Sequence, residues 1–540
     1  MIEDLIAQMP LGMATLYLLG AFFLICLLRK AQVSTQISML GYRAPRVGFR
    51  LPYAIDFIYK ALKAHNIHED LEFWHQAIRT AKGASKIDHV KTAEVDGGVS
   101  NRVILTKDPE NIKALLTGQF ADYGKGEPFH REWKEFLGDS IFATDGELWS
   151  RSRHLIRPMF ARERIVDTEI FEKHVQHLIP LLAGSDAPGG SKKVDVGSLF
   201  FRFTLDAATD YLLGQGTDSL QNPETRFAEA FRYVQSRQSE LFRLGSRHSI
   251  MTKASPLTPD SLSVFSFILS KRKFRQELKV MDSFLQPYID RVLSLTPSEL
   301  DQKLTKQESF LDALARFTRD PRVLRDQLVA VLLAGRDTTA ATLSFCVFEL
   351  ARNPHVVAKL RQEIDARLGL GPKGRKPTYN DLKEMKYLSA VLNETMRLYP
   401  VVPFNVRYSL RDTTLPRGGG PDGLSPIGVR ANTRIIYSTM IMQRSAENYD
   451  PPGSPTYFDP EKWLPNAGCL PGNLGPGISS PSMEGRGSAS GSSLLPSRWV
   501  TRLCAFCKPL SPSAPCLPMG RIGSRTLFCG LRLRSALVRN

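Results

Sequence analysis

The chain has 540 residues, an ordinary apolar content of 42 % and a formal charge of +17. That is long enough to bury a large core, in one big domain or in two to four smaller ones. A basic chain suits nucleic acid, an anionic membrane face or an acidic protein partner, and the lack of paired zinc ligands or an aromatic-basic single-strand signature argues against nucleic acid.

At the N-terminus, Leu11 to Leu28 reads LGMATLYLLGAFFLICLL, without a charge. As a helix it rises about 27 Å, close to the hydrocarbon thickness of a bilayer. Glu3 and Asp4 precede it and Arg29 and Lys30 follow, which predicts that the C-terminal side stays in the cytosol. A cleaved signal peptide is the rival reading, but its basic n-region is missing and its apolar run would be shorter. Residues 1–30 are therefore read as an uncleaved anchor. Residues 31–55 are read as a linker: Gly41 to Tyr53 (GYRAPRVGFRLPY) is basic and Pro-containing, which predicts a stiff link resting against anionic headgroups.

From Asp56 to Trp463 helical periodicity dominates. It is strong from Pro321 to Glu363 and from Asn380 to Tyr399, with strand-like runs at Arg102 to Thr106 (RVILT) and Arg434 to Ser438 (RIIYS). The reading is a mainly α domain with small β-sheets. Only Cys26 and Cys346 lie before Trp463, as in a cytosol-facing protein with reduced cysteines.

Four local patterns in this body carry possible chemistry. Trp149 and Arg153, four apart in LWSRSRHLIRP, share a helix face. The pair can hold an anion, with Arg as donor and Trp as packing plate; a surface Arg beside a core Trp explains it equally simply. In LLAGRDTTAATLSF, Leu332 to Phe345, a glycine costs about 1 kcal/mol against alanine in a helix, and a Thr hydroxyl can bond back to the preceding turn. Such a helix either opens locally for a ligand faced by Asp337 and Thr338 or packs closely at Gly335. Glu394 and Arg397 in LNETMRLYP can pair at i, i+3, on a solvated face or, with further partners, in the interior. Tyr457 to Pro465 (YFDPEKWLP) reads by itself as a surface loop.

In this order and spacing the four resemble the cytochrome P450 family over roughly Asp56 to Trp463. AGRDTT is similar to the oxygen-activation motif of the family's central helix, ETMR to its E-x-x-R pair, and FDPEKW to the segment whose basic residue joins that pair. Here that residue is Lys462, a point charge without the planar fork of Arg. VVPFNVRYSLRDTTLPRGGGPDGLSPIGV and the following YSTMIMQR resemble the fungal branch that hydroxylates n-alkanes and fatty acids.

The resemblance implies the cytochrome P450 fold behind an N-terminal transmembrane helix in the endoplasmic reticulum membrane, with the catalytic domain cytosolic. It implies a haem-thiolate monooxygenase that inserts one oxygen atom of dioxygen into an aliphatic substrate, with NADPH electrons delivered by a reductase docked on the basic face. Asp337 and Thr338 would deliver protons, Trp149, Arg153 and Arg407 would hold the haem propionates, and Glu394, Arg397 and Lys462 would form a structural lock.

The tail, residues 464–540, is unlike the body. It carries nine Lys/Arg against one acid, Glu484, and the five remaining cysteines, and about 40 % of it is Gly, Pro and Ser. It is expected to be disordered, leaving the C-terminal part of the domain incomplete. The family's proximal cysteine, in a run like F-x-x-G-x-R-x-C-x-G, occurs nowhere in the chain. Cys504 and Cys507 make a lone C-x-x-C, and no His follows His355 to build a zinc site with them.

Codon arithmetic accounts for the loss. Joining the third base of each codon to the first two of the next, Ser479 to Ser493 can spell F-P-F-N-G-G-P-R-I-C-I-G-Q-Q. The Gly across Met483 and Glu484 is forced, as are a Gly across Trp499 and Val500 and a Leu across Phe506 and Cys507; elsewhere wobble bases are chosen freely. The missing cysteine then falls across Ser488 and Ala489. A frame error or alternative intron boundary is the reading, against a true basic tail on a non-enzymatic membrane-tethered relic or binding protein.

Overall fold

The computed structural model describes residues 11–51, 54–82, 90–97, 102–160, 169–183, 194–252, 271–302, 308–369, 374–446 and 455–464. The side chains of 11–19, 22–23, 160 and 241–252 are left aside. The tail expected to be disordered lies outside the described residues from 465 onward. The chain divides into two compact units, Met1–Gly124 with Val406–Tyr437, and Lys125–Asn405 with Ser438–Asn540.

The first unit opens with α1 (Leu11–Leu40), one uninterrupted helix that runs past the expected anchor into the expected linker. Helices α2 (Ile55–Asn66) and α3 (Asp70–Arg79) follow. Its larger sheet contains β1 (Thr92–Asp96), β2 (Arg102–Thr106), β3 (Tyr123–Gly124), β4 (Asn405–Ser409) and β7 (Arg434–Tyr437), in the order β1-β2-β7-β4-β3. β5 (Thr413–Gly419) and β6 (Ser425–Val429) form a separate antiparallel hairpin. The two strand-like runs of the sequence pair with each other: Val103 lies beside Arg434 and Thr106 beside Tyr437 in a parallel ladder. Val47, Ala77, Ile78, Ala93, Val95 and Leu105 form a small core.

Part of the expected linker, residues 43–47, is bonded to the first unit. Arg43 donates to Glu94 (2.9 Å) and Asp96 (3.0 Å), Val47 N donates to the Glu94 carbonyl (2.9 Å), and Arg46 and Lys82 exchange backbone bonds. Glu94 is fully buried and also takes Arg102. A buried carboxylate needs partners to be tolerated, and the basic residues read as headgroup contacts supply them. The arginines are therefore part of the fold.

The second unit is helical: α4 (Gly126–Leu137), α5 (Gly146–Ile156), α6 (Glu169–Ala183), α7 (Val196–Leu213), α8 (Arg226–Thr252), α9 (Arg272–Ser294), α10 (Phe310–Ala315), α11 (Pro321–Arg352), α12 (Pro354–Leu368), α13 (Lys386–Leu398) and α14 (Thr439–Gln443). The central element is α11, long and apolar enough by length and composition to cross a membrane but mostly buried inside the protein. Asp320 caps it, accepting from the amides of Arg322 (2.8 Å) and Val323 (3.4 Å), with Pro321 in the first turn.

The single helical run expected from Pro321 to Glu363 is two helices. Asn353 leaves helical geometry (φ −125°, ψ 73°) because the ring of Pro354 crowds it, and Pro354 then opens α12. The run from Asn380 to Tyr399 likewise breaks at Met385 (ψ 90°). One core gathers Phe136, Leu205, Phe231, Met281 and Leu328, and a second gathers Leu199, Phe203, Leu343, Val391 and Phe458.

Candidate active site

The acid–hydroxyl pair sits mid-way along α11. The helix is continuous through Ala334-Gly335, so the local opening that sequence reasoning allowed is not formed. Close packing at Gly335 is not the reason for the glycine either: an added Cβ would meet only Ala208 Cβ, at an ordinary 4.0 Å. The Thr338 hydroxyl donates to the Ala334 carbonyl at 2.6 Å, the back-bond expected of a mid-helix Thr. Asp337 and Thr338 keep partial exposure, whereas Arg336 and Thr339 on either side are buried.

Two partners fix Asp337. Arg336 Nη1 lies 3.1 Å from one carboxylate oxygen, and the Gln235 side-chain amide from α8 donates to the other. Arg336 is itself wedged between the rings of Phe201 (5.4 Å) and Phe231 (5.2 Å), a cation–π sandwich that sets its position. Burial pushes the Asp337 carboxyl above the usual carboxylate range, against the pull of Arg336 and Gln235. Sequence reasoning missed Gln235 and Arg336. Gln235 is remote in the chain, and no local spacing signals it.

The expected structural lock is deeply buried. Glu394 is 0 % and Arg397 2 % exposed. They meet through two bonds, Arg397 Nε to Oε2 at 2.7 Å and Nη2 to Oε1 at 2.8 Å. Arg397 also donates to the carbonyls of Gln443 (3.0 Å), Pro455 (2.7 Å) and Tyr457 (3.2 Å). Glu394 accepts from Asp459 N (3.0 Å) and Trp463 Nε1 (3.0 Å). Lys462 was expected to complete this lock; instead it is half-buried beside it, and none of these bonds goes to its ammonium. The neighbouring indole reaches Glu394 because the 3₁₀ turn Pro460–Trp463, capped by Asp459, presents Trp463 there.

Trp149 and Arg153 do share a face of α5: the guanidinium lies 5.5 Å from the indole centroid, and Trp149 packs on the core. Arg407 belongs to the first unit, on β4. It is 3 % exposed, donates to the Val406 carbonyl at 3.3 Å, and pairs with no carboxylate among the described residues.

The sequence model of the cytochrome P450 family matches residues 95–480, most of the chain. The chain belongs to the cytochrome P450 family. Similar proteins carry the same family name. Cytochrome P450 monooxygenase pvhE of Talaromyces variabilis is 45 % identical over 454 residues, covering 81 % of this chain and 79 % of that protein. Cytochrome P450 52A5 of Candida maltosa is 42 % identical over 378 residues, 67 % of each. Cytochrome P450 52A13 of Debaryomyces hansenii is 39 % identical over 388 residues, 70 % of this chain and 71 % of that protein.

By family, then, this cytochrome P450 chain is a monooxygenase, and membership implies a haem-iron cofactor held by a cysteine thiolate. The described residues do not fit that ligand. Of their two free cysteines, Cys26 lies in α1, and Cys346 is packed on α11 against the second core of its unit. No cluster of His, Cys, Asp and Glu among the described residues could hold a metal ion. Cys469, Cys504, Cys507, Cys516 and Cys529 lie outside the described residues, in a stretch without the family's ligand run.

Proposed function

We propose that the gene encodes a membrane-anchored monooxygenase of n-alkanes or fatty acids, and that this exact chain is inactive because its reading frame departs from the coding frame near residue 464. The observation that carries the second half is the lock. Trp463 and Asp459 dock on Glu394 as an intact element, yet the run that should follow and bring the thiolate is missing. The match to the family stops at residue 480, at the start of the Ser479–Ser493 stretch whose shifted frame can spell a ligand loop. Asp337, with its raised affinity for a proton, and Thr338, one residue on, are the groups proposed to hold and pass protons. Trp149, Arg153 and Arg407 are proposed to receive the propionates.

Leu11–Leu28 is proposed to cross the endoplasmic reticulum membrane once, with the folded units cytosolic and electrons arriving from an NADPH-dependent reductase. The aliphatic substrate class rests on the likeness of Val401–Val429 to the fungal alkane and fatty-acid branch. Sequencing the transcript across codons 460 to 510 tests the frame directly. A transcript that matches the chain base for base, with no shift, overturns it. Turnover of dodecane and lauric acid by the frame-corrected protein with its reductase tests the substrate class, and oxidation of neither rules that class out.

A further inference from the structure

The junction between the anchor and the first unit is built as a seat. The helix α1 has 30 residues and is about 45 Å long, whereas the hydrocarbon core of a bilayer is about 30 Å thick. Its last turns, beyond Lys30, therefore stand clear of the apolar run, with no proline or glycine between Arg29 and Leu40. Those turns are packed on the β5–β6 hairpin. Ile37 is 1 % exposed. Tyr42 N donates to Pro426 O and Gly428 N to Tyr42 O, both at 2.9 Å, so the second residue after the helix end pairs in parallel with β6 at Ile427.

Glycines make the approach possible. A Cβ on Gly428 would fall 2.3 Å from Ile37 O and 2.9 Å from Gly41 N; one on Gly41 would fall 2.8 Å from Gly428 N; one on Gly419 would fall 2.7 Å from Tyr42 Cβ. A side chain at Gly41 or Gly428 would run into the facing backbone, and one at Gly419 into the Tyr42 side chain and the Pro426 carbonyl. Past the contact, Arg43 is tied to Glu94 and Asp96, and Arg102 joins the two sides by bonding Glu94 and the Gly428 carbonyl (2.5 Å).

We propose that α1 is a strut, so that the anchor and the first unit move as one rigid body and the helix fixes the tilt of that unit against the bilayer. The membrane clause rests on the anchor reading above; the rigidity does not. A loose tether would need a flexible residue or an unpaired stretch between Lys30 and Gly41, and the chain has neither there.

The test is a pulsed-EPR distance measurement on the full chain. The chain has seven cysteines, so spin labels go on bio-orthogonal residues at Lys30 and Glu110, both exposed. Spectra are taken in detergent micelles and in phosphatidylcholine nanodiscs. The expected result is one narrow distance peak in both, lost when Gly-Gly-Ser-Gly-Gly is inserted between Lys30 and Ala31, away from the seat. A broad distribution in the unmodified chain overturns the strut, and so does a peak that stays narrow after the insertion. Carbonate extraction of the same protein, with and without residues 1–30, tests the anchor separately: solubility of the full chain would sink the anchor reading while leaving the micelle distance to decide the strut.

Discussion

Glu394 is a fully buried carboxylate, held by a bidentate guanidinium, one amide and one indole. Removing one side of such a pair strands a buried charge, which costs about 3–5 kcal/mol. Arg397→Leu is expected to lower stability by that amount in urea unfolding. The partner assignment has its own test. Trp463→Phe deletes a hydrogen bond to a charged acceptor and is expected to cost about 1.5–3 kcal/mol. Lys462→Ala is expected to stay within about 0.5 kcal/mol, as for a side chain outside the network. Equal effects would restore Lys462 to the lock.

Asp337 gives a pH signature at the same scale. Its folded pKa lies above the unfolded value through burial, so its favourable contribution is complete below the ordinary carboxylate range and is lost as pH rises through the folded pKa. Asp337→Asn removes that penalty. The variant is expected to melt higher than the parent at pH 7 and to match it near pH 3; a parent more stable than the variant at pH 7 would show a well-compensated carboxylate instead.

At the scale of elements, the turn after α4 is a tightly constrained joint in the second unit. Gly138 has φ +57°, and a Cβ there would fall 1.9 Å from the Asp326 carboxyl carbon. Asp326 on α11 accepts from Asp139 N (2.9 Å), while Arg325 beside it bonds the Phe136 carbonyl (2.7 Å) and Asp282 of α9 (2.9 Å). One point thus ties α4, α9 and α11 together. With ψ −147° this backbone lies in a region open essentially to glycine, which costs any other residue about 1–3 kcal/mol, and the clash adds to it. Gly138→Ala is expected to lose more than that in denaturant unfolding; a smaller loss would mean that the turn re-forms without α11. The same helix carries Asp337 and Thr338, so α11 links the stability of the unit to the geometry of its acid–hydroxyl pair.

At the scale of the whole molecule, the chain joins a family-matching body to a tail of different composition. Expressed as written, it is expected to show no thiolate–carbon monoxide Soret band after reduction. Restoring the shifted frame from about codon 475 is expected to bring the band back. A thiolate band from the unshifted chain would make one of the five tail cysteines the ligand. In the frame-corrected protein, Thr338→Ala is expected to keep the band while NADPH consumed per product formed rises several-fold, because the hydroxyl proposed to organise proton delivery is gone. Unchanged coupling would remove Thr338 from the mechanism.

Local patterns were legible in the sequence because each depends on near neighbours. The Asp337-Thr338 step, the i, i+3 spacing of Glu394 and Arg397, the strand-like runs at Arg102 and Arg434, and the absent ligand run can all be read from residue order, whereas the parallel pairing of those two runs cannot. The tertiary structure decided whatever depends on partners far along the chain. Gln235 on Asp337, Trp463 rather than Lys462 on Glu394, and Arg43, Arg46 and Arg102 around Glu94 are choices among many possible donors. Only the packed fold excludes water and the competing donors, and so selects one. Close backbone approach is invisible in the same way: Gly41 and Gly428 carry no such signal one at a time, and their contact with each other makes the expected linker part of the fold.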